Sequence, residues 1–479
     1  MQRALFIFRR DLRLEDNRGL AAALKAAKEV ILAFIFTPEQ IEQNSYKSDR
    51  CLQFMIESLE ELGDEIAKRK GKLYLFYGKP EQIVEECIEK LKIEGVFVNY
   101  DYTPYSIQRD KKIEAVCDKH SIGFQAFQDL LLHPIPETLK ADGSPYKVFT
   151  PFYRRVSKLD ICEPEHNHNS SYYNEPIKFS EESSIYKKIL PKREKQVSGG
   201  RQACLAILKN LGNFSNYALE KDFPAKDQTT HLSAHLKFTT CSIREIYYAI
   251  VKHLGPHSDL IRSLYWRDFF TLIAFHFPHV FAGAFKPKFD HLPWKNDKIS
   301  FQLWTEGKTG FPIVDAGMRE LKQTGFMPNR VRLITASFLV KDLHLNWQWG
   351  EKYFAQHLID YDPAVNNGNW QWIASTGCDA QPYFRIFNPW AQAKKFDPDC
   401  IYIKQWVPEL HSVSKAVIHS WYLKKHHASY PDYSPPMVDH TTQAAIALDA
   451  YREQARGIKN KKNSNSDPTY LEREDKFFN

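Results

Sequence analysis

From Asp360 to Trp372 the chain reads DYDPAVNNGNWQW, a short run that joins carboxylates, amides and indoles. Asp362 followed by Pro363 predicts a helix start, a capping carboxylate and then proline at the first helical position. Asn366 and Trp370, four apart, share one face of that helix, while Trp372 lies about 200° around the axis from Trp370. Such a helix can offer an amide and one indole to an interior ligand and a second indole to a different surface. Two tryptophans in two cores is the competing reading. Thr229-Thr230-His231-Leu232-Ser233 sets hydroxyls before a helical stretch, where they can cap it or, with free backbone N–H groups, hold a phosphate. Arg330 and Arg332, close to Asn329 and to apolar groups, suit either a grip on backbone phosphate beside a base pocket or a solvated basic face. His166, His168, His426 and His427 stand in polar, loop-like stretches without companion ligands, so no metal site is expected.

Two kinds of scaffold can position these groups. Up to residue 130, short apolar runs alternate with amphipathic stretches. Strands are expected at Ala4–Phe8, Ile31–Phe36, Lys72–Tyr77, Gly95–Asn99 and Phe124–Asp129. Helices are expected at Gly19–Lys28, Arg50–Arg69, Pro80–Leu91 and Tyr105–His120. That alternation predicts an α/β domain, a doubly wound, Rossmann-like parallel sheet of five strands with helices on both faces. Its first strand-to-helix turn, from Arg9 to Asn17, has no glycine to admit a pyrophosphate, which argues against an NAD site. Residues 131–200, rich in Pro, Ser, Asn and Lys, read as an interdomain linker wrapping the surface. A helical period runs through 201–456 and predicts an all-α domain. Residues 457–479 read as a polar tail that frays.

The whole composition sets outer bounds. With 479 residues and 43% hydrophobic content the chain can build several cores. Ten Trp, 24 Tyr and 32 Phe exceed the needs of packing and leave rings for stacking or electron transfer. A net charge of +7 permits a polyanionic partner without requiring one. Eight scattered Cys, without a CxxC pair or zinc spacing, suit reduced thiols in a cytoplasm. No apolar stretch of ~20 residues predicts a membrane span, and the N-terminus does not read as a signal peptide.

In this order, FRRDLRLEDN, TGFPIVDAGMREL, NRVRLITASFLVKDLHLNW, LIDYDPAVNNGNWQW and ASTGCDAQPYFRIFNPWAQAKKFDPD resemble the photolyase/cryptochrome family over residues 1–456, most closely its class I cyclobutane pyrimidine dimer photolyases. The resemblance implies an antenna domain over 1–130 and a helical FAD-binding catalytic domain over 201–456. It implies FAD contacts at Tyr217, Thr229, Thr230, His231, Leu232, Ser233, Arg267, Asn329, Asp360, Asp362 and Asn366, the last facing flavin N5. Trp370, Trp347 and Trp294 match the family's electron-transfer chain. Trp266 and Trp372 match the aromatic pair that flanks a flipped dimer, and Lys221, Arg330, Arg332 and Lys395 match phosphate contacts. The implied activity is light-driven repair of damaged DNA by electron transfer from reduced FAD, by a monomer. A blue-light receptor without repair and a six-four photolyase are the alternatives.

The pattern departs from the family at four places. Ser263 stands where these photolyases usually carry Glu, Leu333 replaces a Met and Pro328 a His. Met327–Leu333 holds no His, which argues against six-four chemistry. Ser106 stands where folate antenna sites carry an acid, which argues against folate and leaves a deazaflavin, another flavin or no antenna.

Overall fold

The computed structural model describes residues 1–179 and 197–456. The strands β1 (Arg3–Phe8), β2 (Glu29–Phe36), β3 (Leu73–Tyr77), β4 (Gly95–Asn99) and β5 (Gly123–Phe127) form one sheet in the order β3-β2-β1-β4-β5. Every pairing is parallel; β1 runs beside β2 from Arg3↔Glu29 to Phe8↔Phe34 and beside β4 from Leu5↔Val96 to Ile7↔Val98. Four long helices connect the strands: α1 (Arg18–Ala26), α2 (Asp49–Lys68), α3 (Pro80–Leu91) and α4 (Pro104–Lys119). Side chains alternate across a strand. Phe6, Phe8, Leu32 and Phe34 therefore pack with Leu20 of α1 and Phe54 of α2, while Leu5, Ile7, Ile31 and Ile35 pack with Ile83 of α3 and Ile113 of α4. Both faces are covered, which is why the strands read as nearly unbroken apolar runs. The expected doubly wound sheet is present. A short helix at Pro38–Ile41 was not anticipated.

Beyond β5 the chain departs from a surface linker. Leu130, Leu131 and Leu132 are buried, and α5 (Phe149–Val156) drives Phe149, Phe152 and Val156 into one core with Ile261, Tyr265 and Phe269. The spacing of those three α5 residues is a helical stripe that the surrounding Pro, Ser and Lys obscure. Residues 180–196 of the expected linker, and the expected fraying tail, lie outside the described residues.

The second half is helical, as expected. The helices that matter below are α6 (Leu232–Phe238), α7 (Ile243–Leu254), α8 (Asp259–His276), α9 (Asn329–Ser337), α10 (Trp347–His357) and α11 (Pro363–Ile373). A buried charge quartet joins α7 to the α/β domain. Arg244 binds Asp129 at 2.7 Å and Asp16 at 2.8 Å, and Arg13 binds the other oxygen of Asp129. None of these side chains is more than 4% exposed. Two cations and two carboxylates cancel, which allows them to stay ionised out of water.

Candidate active site

A cavity of about 470 Å³ opens in the helical half, walled by α6, α8, α9, α10 and α11. That volume is typical of ligand and cofactor sites. The start of α11 forms as its sequence demands: Asp362 Oδ1 accepts the N–H groups of Ala364 (3.0 Å) and Val365 (3.1 Å), with Pro363 in the first turn. Asp362 Oδ2 takes Arg10, from the turn after β1, and Arg10 also binds Asp101 at 3.2 Å. Burial alone would raise the Asp362 pKa. Arg10, Lys237 and Arg267 outweigh it and hold the carboxyl well below the usual carboxylate range.

Asn366, Trp370 and Trp372 of α11 all border the cavity, the first two buried and the last half-buried. Trp372 was expected at a different surface, but the cavity curves far enough around α11 to meet both indoles. Asn366 Nδ2 donates to the Glu351 carbonyl (3.0 Å) and to Glu351 Oε1 (3.2 Å), so Asn366 Oδ1 is the atom left for a ligand.

Burial pushes the Glu351 carboxyl up to about 7, only partly offset by hydrogen bonds from Asn366 and Tyr46. The folded chain therefore keeps a proton that the unfolded chain releases near pH 4.5. Stability falls as pH rises from there through about 7, by an amount of order 3 kcal/mol. Glu351→Gln keeps the hydrogen bonds and removes that slope. Melting curves at pH 5 and pH 8 should show the variant gaining on the wild type at the higher pH. An equal difference at both pH values would mean that Glu351 is already ionised in the fold.

The hydroxyl cluster does not cap α6. His231, with φ 52°, is its N-cap, and no side chain bonds the first turn, because the left-handed residue turns the chain away. Thr229, Thr230, His231, Leu232 and Ser233 instead line the cavity, as do Tyr217, Arg267, Asn329 and Asp360. Arg267 is partly committed, bonding the Leu130 carbonyl (3.0 Å) and Asp268 (2.9 Å). Asp360 Oδ2 takes Arg332 at 2.9 Å. Its Oδ1 is buried without a partner, as are Trp370 Nε1 and His231 Nδ1. Each such atom costs ~1–3 kcal/mol. A ligand that brings both donors and acceptors relieves the cost, and FAD fits: hydroxyls and Arg267 for its diphosphate, Asp360 for ribose or ring N–H, Phe270, Met327 and Ile373 for its apolar faces.

Ser263, Trp266 and Arg332 also border the cavity. Lys221, Arg330 and Lys395 do not, and two of them are paired, Lys221 with Asp259 and Arg330 with Asp222, each at 2.7 Å. Trp347 and Trp294 lie behind the wall. The Trp370 ring presses on the backbone of α10, where a Cβ at Gly350 would stand 2.1 Å from it. Trp347 is three residues before Gly350 on that helix, and a main-chain bridge, Lys295↔Leu345, joins the segment of half-buried Trp294 to the one that leads into Trp347.

Lys237 and Arg10 escaped the sequence reading. Lys237 lines the cavity four residues after Ser233, so a helical wheel could have found it. Arg10 meets its partner across the domain boundary, where no local signal exists. Among the described residues, Glu85, Glu89 and His120 alone group three ligand atoms at metal spacing, and Lys119 already holds Glu85 at 2.6 Å.

Comparison with known proteins agrees with this arrangement. Residues 260–453 match the FAD binding domain of DNA photolyase, and residues 4–169 match the DNA photolyase domain. The deoxyribodipyrimidine photo-lyase of Vibrio cholerae is 37% identical, covering 93% of this chain and 98% of its own. A crystal structure of an archaeal photolyase from Sulfolobus tokodaii, described as holding two FAD molecules with the implication of a novel light-harvesting cofactor, superposes with a TM-score of 0.86 at 43% identity, covering 94% of this chain and all of that one. A Synechocystis cryptochrome superposes with a TM-score of 0.85 at 27% identity, covering 94% of this chain and 99% of that one. With both domains matched in order and more than a third of residues shared over nearly full length, this chain belongs to the DNA photolyase family.

Proposed function

We propose that this protein uses light to repair cyclobutane pyrimidine dimers in DNA. The carrying observation is that every position assigned to FAD, and Ser263, Trp266 and Trp372 assigned to the lesion, border one cavity. Reduced FAD, when bound, supplies the light-driven electron that opens the dimer and recovers it, so two carbon–carbon bonds break without net redox change. The chain's residues bind, orient and shield. Thr229, Thr230, Ser233 and Arg267 would hold the diphosphate, Asp360 and Asp362 would meet polar edges, and Asn366 Oδ1 would be the atom offered to the flavin ring. Trp266 and Trp372 stack on the flipped dimer. Extrusion costs a few kcal/mol and stacking returns ~1–3 kcal/mol per base, so the two nearly balance. Trp370, Trp347 and Trp294 would form the relay that passes electrons inward to a bound flavin.

Ser263 is the weak point of the pocket. It is exposed, and its Oγ bonds the Asp259 carbonyl at 3.1 Å, so it reaches the dimer only through water. Ser263→Glu should raise the repair yield per absorbed photon. An unchanged yield would show that another group already steadies the dimer. The decisive experiment is repair of an oligonucleotide carrying one thymine dimer, under blue light with reduced flavin and a dark control. Loss of the dimer only in light is expected. Failure with FAD and DNA both bound would favour a blue-light receptor, the reading that Ser263 and the likeness to a cryptochrome support.

The α/β domain, on this reading, carries a second chromophore, and a flavin is favoured by the likeness to the Sulfolobus protein. Ser106 donates to Asp101 at 2.9 Å, and Arg9 and Arg109 each keep a buried, unpartnered Nη2 for an anion at the carboxyl edge of the sheet. Two flavins released per denatured chain would support it, and one would refute it. The protein is proposed to act as a cytoplasmic monomer. All eight cysteines are free thiols, and no described helix is long and apolar enough to cross a membrane. Sedimentation as a dimer would overturn the first part, and recovery outside the cytoplasm on cell fractionation the second.

A further inference from the structure

Three of the four cations expected to hold DNA already have partners, and the fourth, Lys395, lies over the neighbouring Phe396 ring. Lys221 is paired with Asp259, and Arg330 with Asp222 and the Phe396 ring. Arg332 is bound by Asp360 and the Met327 carbonyl. To contact a phosphate, each must share or break a bond it has. Arg262 is different. It is exposed, and it makes no ion pair or hydrogen bond with any described residue. Its guanidinium lies over two rings of α5, 5.4 Å from the centre of Phe149 and 5.3 Å from that of Tyr153.

One of those rings connects to the cavity through Trp266, which lines it. Phe149 stacks on Trp266 with centroids 3.6 Å apart and planes 7° from parallel. Arg262 precedes Trp266 by four residues on α8, so both share a face, with Arg262 one turn nearer the helix start. It also adjoins Ser263, which lines the cavity. Rings hold the flat guanidinium in place while its N–H edges stay in solvent. Such a group gives up little freedom on meeting a phosphate, and its fork matches phosphate oxygens.

We propose that Arg262 grips a backbone phosphate of the DNA strand next to the flipped dimer. The proposal rests on the repair reading above and adds a contact that faces the strand, not the lesion. It also explains why Phe149 is packed so closely under Trp266: one aromatic stack supports both the ring that meets the lesion and the cation that meets its backbone. The contact is blind to sequence, since phosphates carry none.

The test is binding of a fluorescent duplex bearing one thymine dimer, over a range of salt, by FAD-loaded wild type, Arg262→Gln and Arg262→Lys. Loss of one phosphate contact should lower the slope of log K against log[salt] by about 0.9 in Arg262→Gln. Arg262→Lys should keep the slope, because the charge remains. An unchanged slope in Arg262→Gln overturns the proposal. So does weaker binding at an unchanged slope, which would mean that Arg262 acts only by propping Trp266. If the wild type itself fails to bind the damaged duplex, the repair reading falls, and this contact with it.

Discussion

Trp294→Phe is expected to abolish light-driven reduction of the bound flavin while sparing repair by enzyme reduced chemically. The expectation follows from the route behind the cavity. Trp370 lines the cavity, its ring touches the α10 backbone at Gly350, Trp347 starts the same helix, and the Lys295↔Leu345 bridge ties the segment carrying Trp294 to the residues just before that helix. Trp294 is the half-buried member, where an electron from solvent can enter. Phenylalanine keeps a ring but is far harder to oxidise than indole. Photoreduction followed by flavin absorbance, beside a single-turnover repair assay with dithionite-reduced enzyme, separates the two steps. Loss of both would make Trp294 a packing residue and end its assignment to the relay. Retention of photoreduction would send the electron in by another path.

The second large effect is on stability. Arg244→Leu should cost about 3–5 kcal/mol, because Asp16 and Asp129 would be left with one buried cation between them. Whole domains are stable by only ~5–15 kcal/mol, so the variant should melt far below the wild type. Adding Asp16→Asn should recover much of the loss by restoring neutrality, since Arg13 and Asp129 would remain as a pair. Asn also tolerates the left-handed conformation held at Asp16, where φ is 46°. Thermal melting of wild type, single and double variants reads this directly. A double variant no better than the single one would show that packing at Arg244, not charge, is what matters.

Local periodicity made the sheet legible, because a strand buried on both faces and an amphipathic helix write their patterns into adjacent residues. The capped start of α11 was legible for the same reason: Asp362 and Pro363 are neighbours. Capping by Thr229–Ser233 was misjudged because the left-handed conformation of His231 belongs to the tertiary fold. The hidden helix α5 was lost among polar neighbours. The charge pairings of Lys221, Arg330 and Arg332 could not be read from the chain, since each partner is distant in sequence. The residues lining the cavity were reached through family likeness. Spacing alone left Asn366 and Trp370 divided between a ligand and a core.

The bond from Arg10 to Asp362 has a consequence for taking the protein apart. Asp362 shapes the cavity from the helical side, yet one of its chief counter-charges comes from a loop more than three hundred residues earlier in the chain. The α/β half is thus no detachable module. A helical fragment produced alone would carry, at the wall of its own pocket, a carboxylate stripped of its direct ion-pair partner. A chimaera with a borrowed first domain would inherit a working pocket only if the donor supplied a cation at the same turn.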